Sequence, residues 1–356
     1  GSHRIRKVSP AGTITTLAGT GAAGFSGDSG LAVNAQLQSP TGIFVLTDST
    51  IYIADRDNHR VRRVDPTGTI TTVAGNGIAG YSGEGTATTA QLRSPTGVFV
   101  DASNRLYIAD RDNHRIRRVS GTPISTVAGT GAAGFSGDGG VPTSAQLRFP
   151  EGVFVEGSSV IYIADRDNHR IRKVSGSKIT TVAGNDVAGF FGDGGPATSA
   201  SLAFPTSVWL ETSGNLLIAD RFSQRVRQVA PDSTISTLAG TGEFAFSGEG
   251  GLATSAALKN PRGVFANNTG VFVADSGNNV IRFIPILHVS TAVSGPTGVT
   301  GIGAGEEVVI LRVGIRGDGS NSVRSVAFDL SDMTTATGSS ATDLTSFKVY
   351  RSDDAL

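Results

Sequence analysis

Glycine-rich stretches that return along this 356-residue sequence carry the first side chains that could do chemistry. In each, an aromatic residue stands three positions before an acid. Exposed rings beside carboxylates could bind a carbohydrate, a peptide or a cation. These candidate ligand-binding residues are Phe25 and Asp28, Tyr81 and Glu84, Phe135 and Asp138, Phe190 and Asp193, and Phe246 and Glu249.

The same stretches have a structural interpretation. Each ring would pin its loop to the neighbouring unit, and each acid would cap the short Ala-x-Leu turn that follows. A phosphate-binding loop is disfavoured, because no strand-to-helix context or lysine follows the glycines. The sequence leaves the ligand-binding and the structural interpretation open.

A second candidate is the phrase Ile-Ala-Asp-Arg-Asp-Asn-His-Arg, which begins at Ile53, Ile108 and Ile163. Asp and Asn close turns through their own side chains, and an Asp near an Arg forms an ion pair, so a structural role is expected. Calcium is the alternative, although the phrase lacks the glycine and the distal glutamate of an EF-hand. The residues concerned are Asp55, Asp57, His59, Arg60, Asp110, Asp112, His114, Asp165, Asp167 and His169.

The three histidines do not predict a zinc site, because equivalent turns of a repeat lie apart from one another and zinc ligands must converge. Near-identical repeats also disfavour catalysis, since acid, base and nucleophile need different environments. The fourth copy breaks the pattern. There Phe222-Ser223-Gln224 replaces Asp-Asn-His and Trp209 replaces a Phe, so we include Phe222 in the candidate binding face; packing is the alternative.

Composition excludes several classes of protein. Thirty basic residues balance thirty acidic ones, so nucleic acid is a disfavoured partner despite the Arg-rich segments. Without cysteine there is no disulfide or thiolate metal site, and no apolar run is long enough to span a membrane. The 48 glycines indicate many tight turns. The Arg-rich segments are expected on outer strands, where a basic face would consist of Arg62, Arg63, Arg117, Arg118 and Arg172.

The period of 55 residues between copies decides the fold. In the third copy the pattern predicts four strands, at 152–155, 160–164, 170–174 and 178–183. Four short antiparallel strands cannot bury both faces alone, so neighbouring units must pack face to face in a ring. The sequence therefore predicts an all-β propeller, with the turns and the connections of about 20 residues sharing one end.

The segments GVFV, IYIAD and DNHRIRKV, with the preceding proline, resemble the NHL repeat from residue 4 to about 284. The resemblance implies a propeller with a mostly non-enzymatic binding role. Some relatives bind RNA through a basic face, and others are amidating lyases with histidines at the pore. No histidine here lies on a predicted first strand, so that active site does not carry over.

Five blades are favoured, with residues 4–19 completing the last unit, which spans 261–283. Six blades are the alternative, if 296–299 is a further first strand. The first domain is expected over 1–285. Residues 286–356 resemble the opening strands of an immunoglobulin-like sandwich module of bacterial surface proteins, and we expect the chain to stop inside that module.

These patterns together predict a non-enzymatic extracellular or cell-surface module whose partner is a protein, a glycan or another copy of the chain. No cofactor is expected, although calcium is an open alternative. The sequence does not identify a metal site. The alternative is a metal-dependent lyase or hydrolase that works at the propeller pore.

Overall fold

The computed structural model describes residues 2–285, 290–292 and 312–314. The chain divides into two compact units, Gly1–Ile286 and Leu287–Leu356. The first unit is all β, apart from eight three-residue 3-10 turns. These turns are Ala32–Asn34, Arg56–Asn58, Arg111–Asn113, Pro142–Ser144, Arg166–Asn168, Ala197–Ser199, Arg221–Ser223 and Ala253–Ser255.

The strands of the first unit form antiparallel sheets in chain order. Before the first blade come β1 Ile5–Val8 and β2 Ile14–Ala18. The first blade has β3 Pro40–Val45, β4 Ile51–Asp55, β5 Arg60–Val64 and β6 Ile70–Ala74. The second has β7 Gly85–Thr86, which pairs with the outermost strand, then β8 Pro95–Val100, β9 Leu106–Asp110, β10 Arg115–Val119 and β11 Pro123–Ala128. The third has β12 Pro150–Glu156, β13 Val160–Asp165, β14 Arg170–Ser175 and β15 Lys178–Ala183. The fourth has β16 Pro205–Leu210, β17 Leu216–Asp220, β18 Arg225–Val229 and β19 Ile235–Ala239, and the fifth has β20 Pro261–Asn267, β21 Gly270–Asp275 and β22 Val280–Pro285.

The second strand of each blade is mostly or completely buried. In β4, β9 and β17 every residue is buried, because the adjacent blades cover both faces of the sheet. The five innermost strands, β3, β8, β12, β16 and β20, pack one against the next. They define five blades, which confirms the predicted fold class.

A glycine two residues after the proline that begins an inner strand allows the inner strands to approach one another. A Cβ atom on Gly97 would lie 2.4 Å from the carbonyl oxygen of Glu151 in the next blade, and Gly42 is equally close to Thr96. The fourth blade has Ser207 instead, and its Oγ accepts a hydrogen bond from the N–H of Val264. The close contact between blades therefore requires glycine at Gly42 and Gly97, where a Cβ would meet a backbone carbonyl.

The predicted completion of the fifth blade by residues 4–19 is wrong. Strands β1 and β2 pair with each other, and β20–β22 form a separate three-stranded sheet. His3 Nδ1 accepts the N–H of Ser39, as His59 Nδ1 accepts that of Ser94. Strands β1 and β2 therefore precede the first blade in the same way as β5 and β6 precede the second. Strand β1 corresponds to the third strand of a repeat, which the fifth blade already has in β22.

The first and last blades each present an apolar face that their counterparts bury. Ile43 on β3 is 48% exposed, whereas the equivalent Val98 on β8 is 6% exposed. At the other end of the row, Ile281 on β22 is 67% exposed and the equivalent Ile116 is fully buried. Within residues 2–285, no further blade covers these two faces.

In the second unit, strand β23 Ser290–Ala292 pairs antiparallel with β24 Arg312–Gly314. The rest of the predicted immunoglobulin-like module, and residues 296–299, lie outside the described residues. In the part of the chain that the structure describes, none of the helices has the length and apolar character that a membrane span needs.

Candidate functional site

The histidines of the repeated turns connect each blade to the next. His59 ends a 3-10 turn in the left-handed conformation, and its Nδ1 accepts the backbone N–H of Ser94 at 3.1 Å. His114 and His169 make the same contact with Phe149 and Phe204. Burial lowers the pKa of all three histidines, which favours the neutral ring that can accept this hydrogen bond.

Gln224 stands where the fourth blade lacks this histidine. Its Oε1 accepts the N–H of Asn260 at 2.6 Å, and Gln224 also has the left-handed conformation. The neighbouring Ser223 donates its hydroxyl hydrogen bond to the backbone carbonyl of Asp220. The replacement of histidine by Gln224 in the fourth blade therefore preserves the hydrogen bond between blades.

The first aspartate of each of the three Asp-Arg-Asp-Asn-His turns is fully buried and accepts hydrogen bonds on both oxygens. Asp165 accepts the N–H of Arg148 at 2.7 Å on one oxygen. The other oxygen accepts hydrogen bonds from Asn168 at 2.8 Å and from the buried Arg172 at 3.3 Å. Burial outweighs these bonds and raises the pKa of Asp165 to about 6. The equivalents Asp55 and Asp110 have similar contacts, and burial raises their pKa too.

Sequence reasoning placed Arg62, Arg117 and Arg172 on a basic outer strand, but all three side chains are fully buried. The second acids of the turns differ from the first. Asp57, Asp112 and Asp167 lie nearer the surface and pair with the arginine that precedes each, at 2.6–2.7 Å. These contacts support a structural role for the turn acids.

The aromatic ring of each connection stacks on arginines of the blade that it precedes. The Arg60 guanidinium carbon lies 3.7 Å from the Phe25 ring centre, and that of Arg62 lies 4.7 Å away. Tyr81, Phe135 and Phe190 repeat this arrangement with the arginines of their own blades, and Phe246 stacks at 4.9 Å on Arg282. The rings are nevertheless 39–51% exposed. One face of each ring therefore stays open to solvent.

The acids of the connections bind arginine and the outer strand rather than capping the next turn. Asp28 Oδ1 lies 2.7 Å from Arg62 Nη2, and its Oδ2 accepts a hydrogen bond from Thr72. Asp138, Asp193 and Glu249 also pair with arginines, whereas Glu84 accepts the backbone N–H of Thr126. The 3-10 turns that follow the connections have no side-chain cap. The predicted capping role is therefore wrong.

The turns and the connections lie together at one end of the propeller. Asn58 Nδ2 donates a hydrogen bond to the carbonyl of Gly24 at 2.7 Å, and Asn113 and Asn168 repeat that bond. We call this end the turn face; the rings at 25, 81, 135, 190 and 246 mark its outer part. Phe222 lies on it too, 44% exposed and 5.0 Å from the ring of Phe204.

Groups that could hold a metal ion need several ligands at one place. Among residues 2–285 and the two short strands beyond them, no three or more His, Asp and Glu side chains form such a group. The calcium and zinc alternatives therefore gain no support from the described geometry.

The inner strands surround a cavity of about 800 Å³. An aromatic row runs along the inner strands from blade to blade, with ring centres 4.5–4.9 Å apart. The row consists of Phe44, Phe99, Phe154, Trp209 and Phe265. Trp209, singled out as an exception in the sequence, is a member of this row.

A group of charged residues at the cavity mouth escaped the sequence analysis. Glu151 lies 3.4 Å from Arg111 Nε and 3.7 Å from Arg166 Nε, joining the turns of two blades. Arg56 and Arg262 line the same cavity. The sequence does contain a signal for these two residues. The residue after the proline that begins the inner strand is threonine in three copies, but it is Glu151 in the third copy and Arg262 in the fifth.

The comparisons with known proteins agree with this fold. The family described as Teneurin NHL domain matches residues 2–65 and 81–175. NHL repeat-containing protein 2 of Bos taurus is 29% identical over 322 aligned residues, covering 80% of this chain and 44% of that protein. Teneurin-1 of Mus musculus is 30% identical over 234 residues, covering 57% of this chain and 8% of that protein. The chain thus spans less than half the length of these curated relatives.

A solved structure, the auxiliary nutrient binding protein from Bacteroides ovatus ATCC 8483, superposes with a TM-score of 0.54 and 13% sequence identity. The match covers 80% of this chain and 64% of that one. At this identity the likeness concerns the fold alone. In its repeated sequence and its propeller fold, the chain is therefore similar to NHL-repeat proteins.

Proposed function

We propose that this chain is a non-enzymatic binding module of an extracellular or cell-surface protein, whose turn face binds a protein or a glycan. The observation that carries the proposal is the half-exposed ring in every connection. Arginine holds one side of the ring in place and leaves the other side available for a partner. Flat aromatic surfaces that are already fixed lose little entropy on binding.

Two further features support a binding role over catalysis. The repeated acids and histidines of the turns are engaged in contacts within and between blades. The superposed Bacteroides protein is described as nutrient binding, which is in keeping with a fold that presents a ligand surface. Self-assembly with another copy of the chain is a special case of the same proposal.

The test is to screen the full chain against glycan and extracellular-protein arrays and to compare two variants. Replacing Phe135 and Phe190 by leucine should abolish any saturable binding while the circular dichroism spectrum is retained. The control replaces Val141 and Val187 by alanine, because both are exposed in the same connections but carry no ring. Absence of saturable binding, or equal loss in both variants, would refute the proposal.

The location is tested separately on intact cells that express the parent protein. A membrane-impermeant amine reagent should label the lysines of the propeller, including the exposed Lys178. Labelling only after the cells are lysed would contradict an extracellular or cell-surface location.

A further inference from the structure

Each of four turns carries an arginine at the same position, and three of these four arginines are paired with an acid. Arg56, Arg111 and Arg166 each pair with the aspartate that follows in the chain, at 2.6–2.7 Å. Glu151 also faces two of them. In the fourth turn the following residue is Phe222, so Arg221 lacks the acid that its equivalents have.

Arg221 and Arg262 are the unpaired arginines of this group. Among the described residues, neither lies within 4.0 Å of a carboxylate oxygen, and Arg221 Nε is buried without a hydrogen-bond partner. The Nε atoms of Arg111 and Arg166 also lack hydrogen bonds, but both face Glu151. A buried guanidinium nitrogen without a partner carries a desolvation cost that a bound anion would remove.

The electrostatics of the two arginines agree with this geometry. Burial, followed by repulsion from Arg262, lowers the pKa of Arg221 to about 10. Arg221 therefore stays charged at neutral pH, next to a second cation. An anion between the two would relieve both the burial and the repulsion.

The local charge selects the class of anion. Five arginines at the mouth face four carboxylates, namely Glu151 and the three turn aspartates, which leaves one positive charge. A single negative charge neutralises that excess, whereas a dianion would meet repulsion from Glu151. Two guanidinium groups are suited to the planar carboxylate, which accepts bidentate hydrogen bonds.

The cavity beyond the mouth determines what the carboxylate is attached to. Arg262 lines the same cavity as the aromatic rings of Trp209 and Phe265. The hydroxyls of Thr206 and Ser276, which also line it, donate hydrogen bonds to backbone carbonyls. An apolar or aromatic body would therefore be buried beside those rings.

We propose that Arg221 and Arg262 bind the carboxylate of a ligand whose apolar body enters the central cavity. The carboxylate belongs either to a free small acid or to the carboxyl terminus of a peptide. The site uses none of the five connection rings, so it can succeed or fail independently of the proposed partner of the turn face.

The experiment titrates the full chain and monitors the fluorescence of Trp209, the single tryptophan of the sequence, which lines the cavity. The probes are 3-phenylpropionate, a short peptide ending in free phenylalanine, the same peptide amidated, and inorganic phosphate. Saturable binding of the small acid, of the free-carboxyl peptide or of both supports the proposal and identifies the source. Equal binding of the amidated peptide, preference for phosphate, or no saturable binding overturns it.

The variants are chosen so that folding is not in question. Phe222→Asp restores the acid that the other three turns have and should weaken binding at least about tenfold, as should Arg262→Met at its exposed position. The matched control is Arg56→Met, because Arg56 lines the cavity but is paired with Asp57. Unchanged affinity in Phe222→Asp and Arg262→Met, or an equal loss in Arg56→Met, contradicts the site.

Discussion

Arg172 offers the sharpest test of how the blades are held together, because it is fully buried and joins three parts of one blade. It pairs with Asp138 at 2.5 Å and Asp165 at 3.3 Å, and donates to the carbonyls of Ser136 and Gln146. Arg172→Met keeps most of the volume but leaves Asp165 buried without a cation. Removing one partner of a buried ion pair costs about 3–5 kcal/mol.

The loss in Arg172→Met should depend on pH. Burial already raises the pKa of Asp165 to about 6, and losing the arginine raises it further. For a carboxyl whose folded-state pKa is raised, stability is greatest while the group is protonated and falls as pH rises through that pKa. The difference in unfolding free energy between wild type and variant should therefore be small at pH 5 and large at pH 8.

Urea unfolding followed by Trp209 fluorescence and circular dichroism measures these free energies. The double variant Asp165→Asn with Arg172→Met should recover part of the loss at pH 8, because the uncompensated charge is gone. Lys178→Met, which removes an exposed charge from the same blade, should change stability by less than about 0.5 kcal/mol. A loss in Arg172→Met that is equal at pH 5 and pH 8 would show that the buried carboxylate is not its cause.

Three further outcomes are expected. Replacing His59, His114 and His169 by glutamine, which already does this work at Gln224, should preserve stability at pH 8. It should also reduce the loss of stability that wild type shows as pH falls below about 6.5, since the lowered histidine pKa values make protonation destabilising; identical pH profiles in thermal unfolding would contradict this. Gly97→Ala should cost about 1–3 kcal/mol in urea unfolding because its Cβ meets the Glu151 carbonyl, whereas Gly263→Ala, with its nearest atom 3.4 Å away, should be near neutral. Phe135→Leu removes the stack on Arg170 and should cost about 1 kcal/mol and speed hydrogen exchange in its connection, while Val141→Ala should leave that exchange unchanged.

The period of 55 residues made the propeller predictable, and the strands predicted for the third copy lie within one or two residues of β12–β15. Repetition reveals that units pack on one another, but not which residues face inward. The strand Arg-Ile-Arg-Lys-Val was interpreted as a basic outer strand, yet the side chain of Arg172 is fully buried and pairs with Asp165. Alternation alone gives no reason to bury an arginine, so its partner had to be seen.

The candidate site was harder to predict for a related reason. Each ring-and-acid pair was visible in the sequence, but the acid was assigned to the wrong partner because Arg62 lies 34 residues away from Asp28. The mouth of the cavity brings together single positions from four turns and two inner strands. The role of Glu151 and Arg262 becomes visible only when the packing of the blades places them beside arginines that are far away in sequence.

The contacts of the connections also define what one interchangeable module of this protein is. Phe25 and Asp28 bind the blade that follows them, and His59 reaches forward again to the inner strand of the blade after that. Each unit therefore makes the same two kinds of contact with the unit that follows it, one through the connection and one through the turn histidine. Removing one full period, from a connection through the outermost strand, would leave every remaining contact of these two kinds with an equivalent partner. A cut at the blade boundary would instead remove the partners of both kinds of contact. Duplication and loss of whole periods is the route by which such a chain can change its length without redesigning any interface.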